Sequence, residues 1–288
     1  MWSDSIQHVI KFAQGDEMRL DLPGILTMEV LEPQWIVEGM IPAGTVVLVA
    51  GDAGIGKSVM NLTEGLHIAL GRPFLGHATR QTRVLYFDEE NSKPDVSAYL
   101  QQLWIGLGQP DPDLVAKWFQ IEHYSLGTAK WKERMTTMAQ EFKPGIIYVD
   151  TATSALAVDE ENDNAEAQRV VQGLRHVMRD TGTNPAMKIL KHAKYQSGGG
   201  HGEARRTIRG AKAWLGAVDQ TMYHIASSAG RPRKDGLRTT ILVPDKSRAY
   251  GLKQCIRVIP SFTETTPKGL ILTGELFTPE KDLLVVPA

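Results

Sequence analysis

The stretch Gly51-Asp52-Ala53-Gly54-Ile55-Gly56-Lys57-Ser58 constrains this chain more than any other. It fits the phosphate-binding loop pattern G-x-x-x-x-G-K-[ST], in which each residue type has a physical job. Glycines without a Cβ let successive backbone N–H groups turn inward onto phosphate oxygens. Lys57 brings a point charge to the β- and γ-phosphates, and the Ser58 hydroxyl is a ligand for Mg²⁺. A helix starting near Lys57 adds its positive end to the same spot. The pattern needs a strand before it and a helix after it. Thr45 to Ala50 is a short apolar, β-branched run, as a buried parallel strand should be. Ser58 to Leu70 carries Val59, Leu62, Leu66 and Leu70 at close to helical spacing, with Gly71 as a stop. Gly51 to Val59 are therefore the expected nucleotide contacts. Gly51, Gly54 and Gly56 imitate a dinucleotide fingerprint, but Lys57-Ser58 argues against that reading.

The bulk numbers describe an ordinary globular protein. The 288 residues are 42% hydrophobic and 23% charged, enough for one large α/β domain or two small ones. The formal net charge is −1, so a nucleic-acid site has to come from local charge. Cys255 is the one cysteine, which excludes an intramolecular disulfide and argues against a cysteine zinc site. That suits a reducing cytoplasm. No run approaches the ~18 apolar residues of a membrane span, and no partner membrane is expected.

Strand and helix signals alternate through the middle of the chain. Arg83 to Phe87 reads as a second buried strand that ends in Asp88-Glu89-Glu90-Asn91. Asn91 or Ser92 is placed to cap the helix that follows, to about Leu107. Gly106 to Asp113 reads as a loop, Phe119 to Glu122 as a short strand and Thr128 to Phe142 as a helix. Ile146 to Val149 is a buried strand that presents Asp150 beside the Mg²⁺, and Ser58 with Asp150 is the expected metal pair. A helix follows to about Arg179, then a strand at Met187–Leu190 leading into Lys191-His192. Further strands are expected at 220–225, 238–243, 252–259, 269–273 and 276–278. The expected fold is a P-loop α/β core with a mostly parallel sheet, helices on both faces and an antiparallel C-terminal extension. Residues 35–288 would form this domain and residues 1–34 an N-terminal arm.

Taken in order, these pieces resemble the RecA-like ATPases of the RepA type, relatives of DnaB, RadA and KaiC. The resemblance rests on Trp35–Gly44, the phosphate loop, the Gly71-Arg72-Pro73-Phe74-Leu75-Gly76 turn and Val84-Leu85-Tyr86-Phe87-Asp88-Glu89-Glu90. It continues through Tyr148-Val149-Asp150-Thr151, Glu160–Asn164, His192, Arg209-Gly210-Ala211 and Asp245-Lys246-Ser247-Arg248. It implies ATP and Mg²⁺ as cofactors and a catalytic set of Lys57, Glu90, His192, Lys246 and Arg248. Glu90 would orient the attacking water, and His192 would sense the γ-phosphate. Lys246 and Arg248 would be basic fingers that reach the ATP of the next subunit, worth ~10³–10⁵ in rate. Such relatives have a His-His pair and then a basic residue; here Lys191 replaces the first His, and Tyr195 stands where the basic residue is expected.

In the same relatives the segment after His192 lines a channel that holds single-stranded DNA. Ser197 to Arg209 is rich in glycine, lacks a hydrophobic anchor and is expected to be mobile. Lys194, Arg205, Arg206 and Arg209 flank it as phosphate contacts, and Tyr195 is the nearest aromatic for stacking on a base. The resemblance implies a homo-oligomer, a hexameric ring, acting as a DNA helicase. A primase or replication initiator would be supplied in trans. A RecA-like protein that coats and anneals single strands, and a KaiC-like switch ATPase with a protein partner, share the fold and the nucleotide site.

Overall fold

A computed structural model describes residues 22–27, 33–123, 126, 130–152, 156, 164–195, 206–208, 211–227, 237–248 and 251–278. The chain divides into two units, residues 1–34 and 35–288. The first contains α1 (Leu22–Thr27), where the Thr27 hydroxyl donates to Pro23 O at 3.0 Å and Leu22 and Leu26 are exposed.

The second unit opens with β1 (Trp35–Val37) and β2 (Ile41–Pro42), a two-stranded antiparallel ribbon. Then come β3 (Val46–Gly51), α2 (Lys57–Leu70), β4 (Val84–Asp88), α3 (Lys93–Gly106), α4 (Pro112–Trp118) and β5 (Phe119–His123). They are followed by α5 (Trp131–Phe142), β6 (Ile146–Asp150), α6 (Asn164–Asp180), β7 (Ala186–Tyr195), β8 (Arg206–Ile208) and α7 (Ala211–Ala217). The last elements are β9 (Gln220–Ala226), β10 (Thr240–Ser247), β11 (Cys255–Phe262) and β12 (Leu270–Phe277).

One sheet organises the unit, in the order β12-β11-β10-β9-β3-β7-β6-β4-β5, with β8 paired to β7. From β9 to β5 every neighbouring pair is parallel, and from β9 to β12 every pair is antiparallel. The central strands β3, β4 and β6 are near-continuous apolar runs because both faces of the sheet are covered. Val47 and Val49 of β3 face one core with Tyr86, Tyr148 and the Met60, Leu62 and Leu66 side of α2. Val46, Leu48 and Ala50 face the other core with Trp131 of α5, Leu174 of α6 and Trp214 of α7. Each such side chain, fully buried, contributes ~1.5–3 kcal/mol.

The structure corrects or refines the sequence reading at several points. Helix α4 begins in the last two residues of the loop read at Gly106 to Asp113 and fills the stretch before β5, where no element was expected. Asp111 caps it, accepting from Asp113 N at 3.0 Å, with Pro112 in the first turn. Strand β7 runs on past Leu190 to Tyr195, because β3 pairs with Lys191 and His192 and β8 with Ala193 to Tyr195. The two short strands expected after Lys268 are one, β12, which passes through Gly274 opposite Val258. Of the two candidate caps for α3, Ser92 takes the role.

Charge is also buried between the layers. Lys188 of β7 and Glu64 of α2 are both fully buried, with Nζ 2.8 and 2.9 Å from the two carboxylate oxygens. The Tyr148 hydroxyl donates to the same carboxylate at 2.7 Å. Losing one partner of such a pair costs ~3–5 kcal/mol, so the phosphate-loop helix is tied to the sheet by an interaction that tolerates little change.

Candidate active site

Five strand ends meet at one edge of the sheet. Gly51 pairs in register with His192 and His224, and Asp88 with Asp150. Ligands of open parallel sheets bind outside this carboxyl edge.

Between β3 and α2 the chain turns through Gly54 at φ 71° and Gly56 at φ 92°, the left-handed region that glycine enters at least cost. A Cβ at either position would meet nothing within 4 Å, so the loop's rim is open for an anion to approach the backbone. Gly51 is confined instead: a Cβ there would sit 2.4 Å from the His224 carbonyl oxygen. The loop therefore lies tight against β9 while its tip stays bare.

Lys57 turns back over this loop. Its Nζ donates to Gly51 O at 3.0 Å and Asp52 O at 2.9 Å, and lies 3.5 Å from His192 Nδ1. Burial lowers its pKa, and Glu90, Asp150 and Asp52 oppose that shift. An ammonium held by carbonyls among carboxylates is ready to exchange those partners for phosphate oxygens.

The two acids after Asp88 go different ways. Glu89 turns inward, where its Oε1 accepts from Leu126 N at 2.7 Å. Glu90 turns into the site and meets His192 Nε2 at 2.9 Å (Oε1) and 3.1 Å (Oε2). Asp88, fully buried, fixes this divergence by accepting from Glu90 N at 3.2 Å and Asn91 N at 2.9 Å. The hydrogen bond from His192 holds the Glu90 carboxyl below the ordinary carboxylate range, against a smaller effect of burial. With an ammonium at Nδ1 and a carboxylate at Nε2, the neutral ring carries its proton on Nε2.

Asp150 is buried, and its Oδ2 accepts from the Tyr86 hydroxyl at 2.8 Å. Burial pushes its pKa up to about 6; Asp88 and Glu90 add to this, and hydrogen bonds from Ser58 and Tyr86 oppose it. A buried acid beside two others suits a divalent cation. Among the described residues no cluster of His, Cys, Asp and Glu could hold a metal alone. Mg²⁺ bound with a nucleotide is held by one or two protein oxygens plus phosphate. Ser58 and Asp150 are the residues that would hold it, and Asn91 Nδ2 is 3.4 Å from Ser58 Oγ.

A cavity of about 260 Å³ opens beside the loop and was not foreseen from the sequence. Gly54, Gly56 and Val59 form one wall, and Tyr99 of α3, Arg238 just before β10 and Leu272 of β12 contribute the rest. Its apolar lining and aromatic ring suit a flat base. The lining residues are scattered along the chain, so no local pattern marks them.

Lys246 and Arg248 lie elsewhere. Lys246 pairs with Thr221 and Ser247 with Gln220, which itself pairs with Val47 at the start of β3. This is the edge opposite Gly51, roughly 13 Å away along the strand at ~3.3 Å per residue. There Lys246 Nζ donates to Leu215 O and, at 2.9 Å, to Val218 O, at the C-terminal end of α7. Arg248 donates to Gly216 O at 2.6 Å and lies 3.9 Å from Asp219 Oδ1.

Of the proposed nucleic-acid residues, Lys194 and Tyr195 lie on β7 beyond His192, and Tyr195 pairs in register with Arg206 of β8. Of the stretch Ser197 to Arg209 expected to be a mobile loop, 206–208 form β8, while 197–205 and Arg209, and so both Arg205 and Arg209, lie outside the described residues. Lys191, which replaces the first His of the pair, is buried with its Nζ 5.1 Å from the Trp214 ring centroid.

No curated protein matches the chain in sequence. A solved structure, the KaiC-like protein PH0186 from the hyperthermophilic archaeon Pyrococcus horikoshii OT3, superposes with a TM-score of 0.54 at 13% identity. The match covers 82% of this chain and 93% of that one, and shows a shared RecA-like fold. The family model AAA_25, described as an AAA domain, matches residues 19–194, from before β1 to the polar end of β7. With most of its length inside that match and a phosphate loop, Asp150 and Glu90 converging on one sheet edge, the chain belongs to this AAA-domain family of RecA-like P-loop ATPases.

Proposed function

We propose that the protein is a Mg²⁺-dependent ATPase that works as an oligomeric ring, a hexamer, and moves along single-stranded DNA as a replicative-type helicase. Each site would be completed by Lys246 and Arg248 of the next copy. The observation that carries this reading is the separation of the two halves. Lys57, Glu90 and Asp150 lie at one edge of the sheet, and Lys246 and Arg248 at the other. A basic pair on the far edge cannot serve its own nucleotide, but head-to-tail association brings unlike edges together.

The chemistry follows from the geometry. Lys57 exchanges the Gly51 and Asp52 carbonyls for phosphate oxygens, and the loop's N–H groups take the rest. Ser58 and Asp150 would hold Mg²⁺, which when bound would supply positive charge to the phosphate oxygens. Glu90, kept ionised by His192, orients a water. The water oxygen bonds to the γ-phosphorus as the bond to the bridging oxygen breaks. The water's proton passes to Glu90 and ADP departs with the bridging oxygen. His192 touches both Glu90 and Lys57, so loss of the γ-phosphate would be felt near the C-terminal end of β7, which carries Lys194 and Tyr195 two and three residues further on. That connection supports a link between hydrolysis and a strand that grips nucleic acid.

The test is ATP turnover with and without single-stranded DNA, with light scattering on the same sample and Lys57→Ala as the blank. A hexamer whose turnover rises several-fold with DNA supports the motor. Filaments that anneal strands without directional unwinding move the assignment to a strand-coating ATPase. A monomer or dimer indifferent to DNA moves it to a switch with a protein partner.

A further inference from the structure

The mechanism above uses Asp150 but not the residue that holds it. Tyr86 lies on β4 and is fully buried. It pairs with Tyr148 of β6, two residues before Asp150, so Tyr86 and Asp150 are diagonal neighbours on one face of adjacent strands. Its hydroxyl reaches along that diagonal to Asp150 Oδ2 at 2.8 Å. The ring is gripped from both sides. Tyr148 stacks at a centroid distance of 5.3 Å and an angle of 20°, and Phe119 of β5 at 6.3 Å and 28°. Three adjacent strands thus fix the position of one hydroxyl.

The torsion that turns a carboxylate about its last bond is broad and roughly two-fold, so packing alone does not orient Asp150. A donor fixed on Oδ2 does. It commits that oxygen and leaves the other for Ser58 and a cation. We propose that Tyr86 is a positioning residue for the Mg²⁺ site. It acts through Asp150 to set the metal affinity of the nucleotide complex, and it contributes no contact to nucleotide itself. This rests on the reading that Asp150 is the metal carboxylate. Hydrogen bonds of this outer kind typically cost ~10–100-fold in metal affinity when lost.

The structure supplies its own control. Tyr148 is equally buried, belongs to the same stack and donates a single hydrogen bond, at 2.7 Å, to Glu64 instead. Tyr86→Phe and Tyr148→Phe therefore remove equivalent hydroxyls from neighbouring strands, and only one of them touches Asp150.

The experiment titrates Mn²⁺ into the protein–ADP complex, reading free Mn²⁺ by electron paramagnetic resonance. ADP affinity in EDTA and thermal stability are measured on each sample. Tyr86→Phe is expected to weaken Mn²⁺ by ~10-fold or more, with ADP affinity in EDTA unchanged, while Tyr148→Phe leaves Mn²⁺ binding as in the wild type. Phe119→Leu keeps the hydroxyl but loosens its clamp, and is expected to shift Mn²⁺ affinity in the same direction by less; it carries the test if Tyr86→Phe does not fold. Equal Mn²⁺ affinities in the wild type and the tested Tyr86 or Phe119 variant, or equal losses with Tyr148→Phe, overturn the positioning role. Asp150→Asn separates the two levels: if it leaves Mn²⁺ binding intact, the metal assignment itself is wrong and Tyr86 has no site to position.

Discussion

His192 Nε2 lies 2.9 Å from Glu90 Oε1 and 3.1 Å from Oε2, and hydrogen bonding from this ring is the main reason the Glu90 carboxyl is held below its ordinary range. Removing the ring removes that stabilisation. The pKa of Glu90 then rises, and the acid becomes protonated at a higher pH than in the wild type. The acid limb of the kcat/KM profile should move upward in pH for His192→Ala, with a lower plateau. Glu90→Gln should lose ~10²–10⁴ in kcat while it still binds ATP. An acid limb that stays in place in His192→Ala would show that Glu90 does not set it.

Asp150 makes a prediction about stability without ligands. Its folded pKa is about 6 against 3.8 for the free side chain, so the folded state prefers the protonated acid. The gain is present below pH 3.8 and is lost as pH rises through 6. At pH 8 the buried charge costs on the order of 3 kcal/mol, because each tenfold change in proton affinity is worth ~1.4 kcal/mol. In EDTA and without nucleotide, Asp150→Asn should therefore melt higher than the wild type at pH 8 and show no such gain at pH 4. The same variant should lose metal-dependent hydrolysis. Equal melting temperatures at pH 8 would show that the native carboxylate is stabilised in a way this geometry does not contain.

The far-edge position of Lys246 and Arg248 predicts rescue by mixing. Glu90→Gln and Arg248→Ala should each be nearly inactive alone. In a mixed assembly, an Arg248→Ala copy supplies an intact nucleotide half and a Glu90→Gln copy supplies an intact finger. Random mixing restores about a quarter of the interfaces if contacts are head-to-tail. Recovered turnover on mixing is the measurement. Its absence, with mixed assemblies confirmed by mass, would leave Lys246 and Arg248 as caps on the carbonyls that end α7.

The features legible in the sequence were those set by neighbours along the chain. The phosphate loop, the run ending in Asp150 and the helices on either side are local patterns of glycine, apolar residues and spacing. The antiparallel extension was visible from its alternation, although Gly274 broke the pattern of β12 and split one strand into two. Helix α4 carried its signal in Asp111-Pro112, but it is short and none of its side chains is fully buried, only Val115 and Trp118 packing part-buried on the core. The last three residues of β7 are paired by β8, a partner that no periodicity reveals. The harder cases were side chains whose meaning depends on distant partners. Tyr86 looks like one more apolar position in a buried strand until Asp150 is seen 2.8 Å away. Lys188 and Glu64 look like surface charges until they meet in the core.

Strands β9 and β10 run in opposite directions, and that reversal puts Lys246 on the edge away from Gly51. On the proposed reading the protomer is an unfinished object with two unlike ends. A free protomer contains no complete site, an open row of n copies contains n − 1, and only closure adds the last. Turnover per copy would then rise with assembly and fall on dilution with every residue unchanged, so the number of working sites belongs to the assembly and not to the chain.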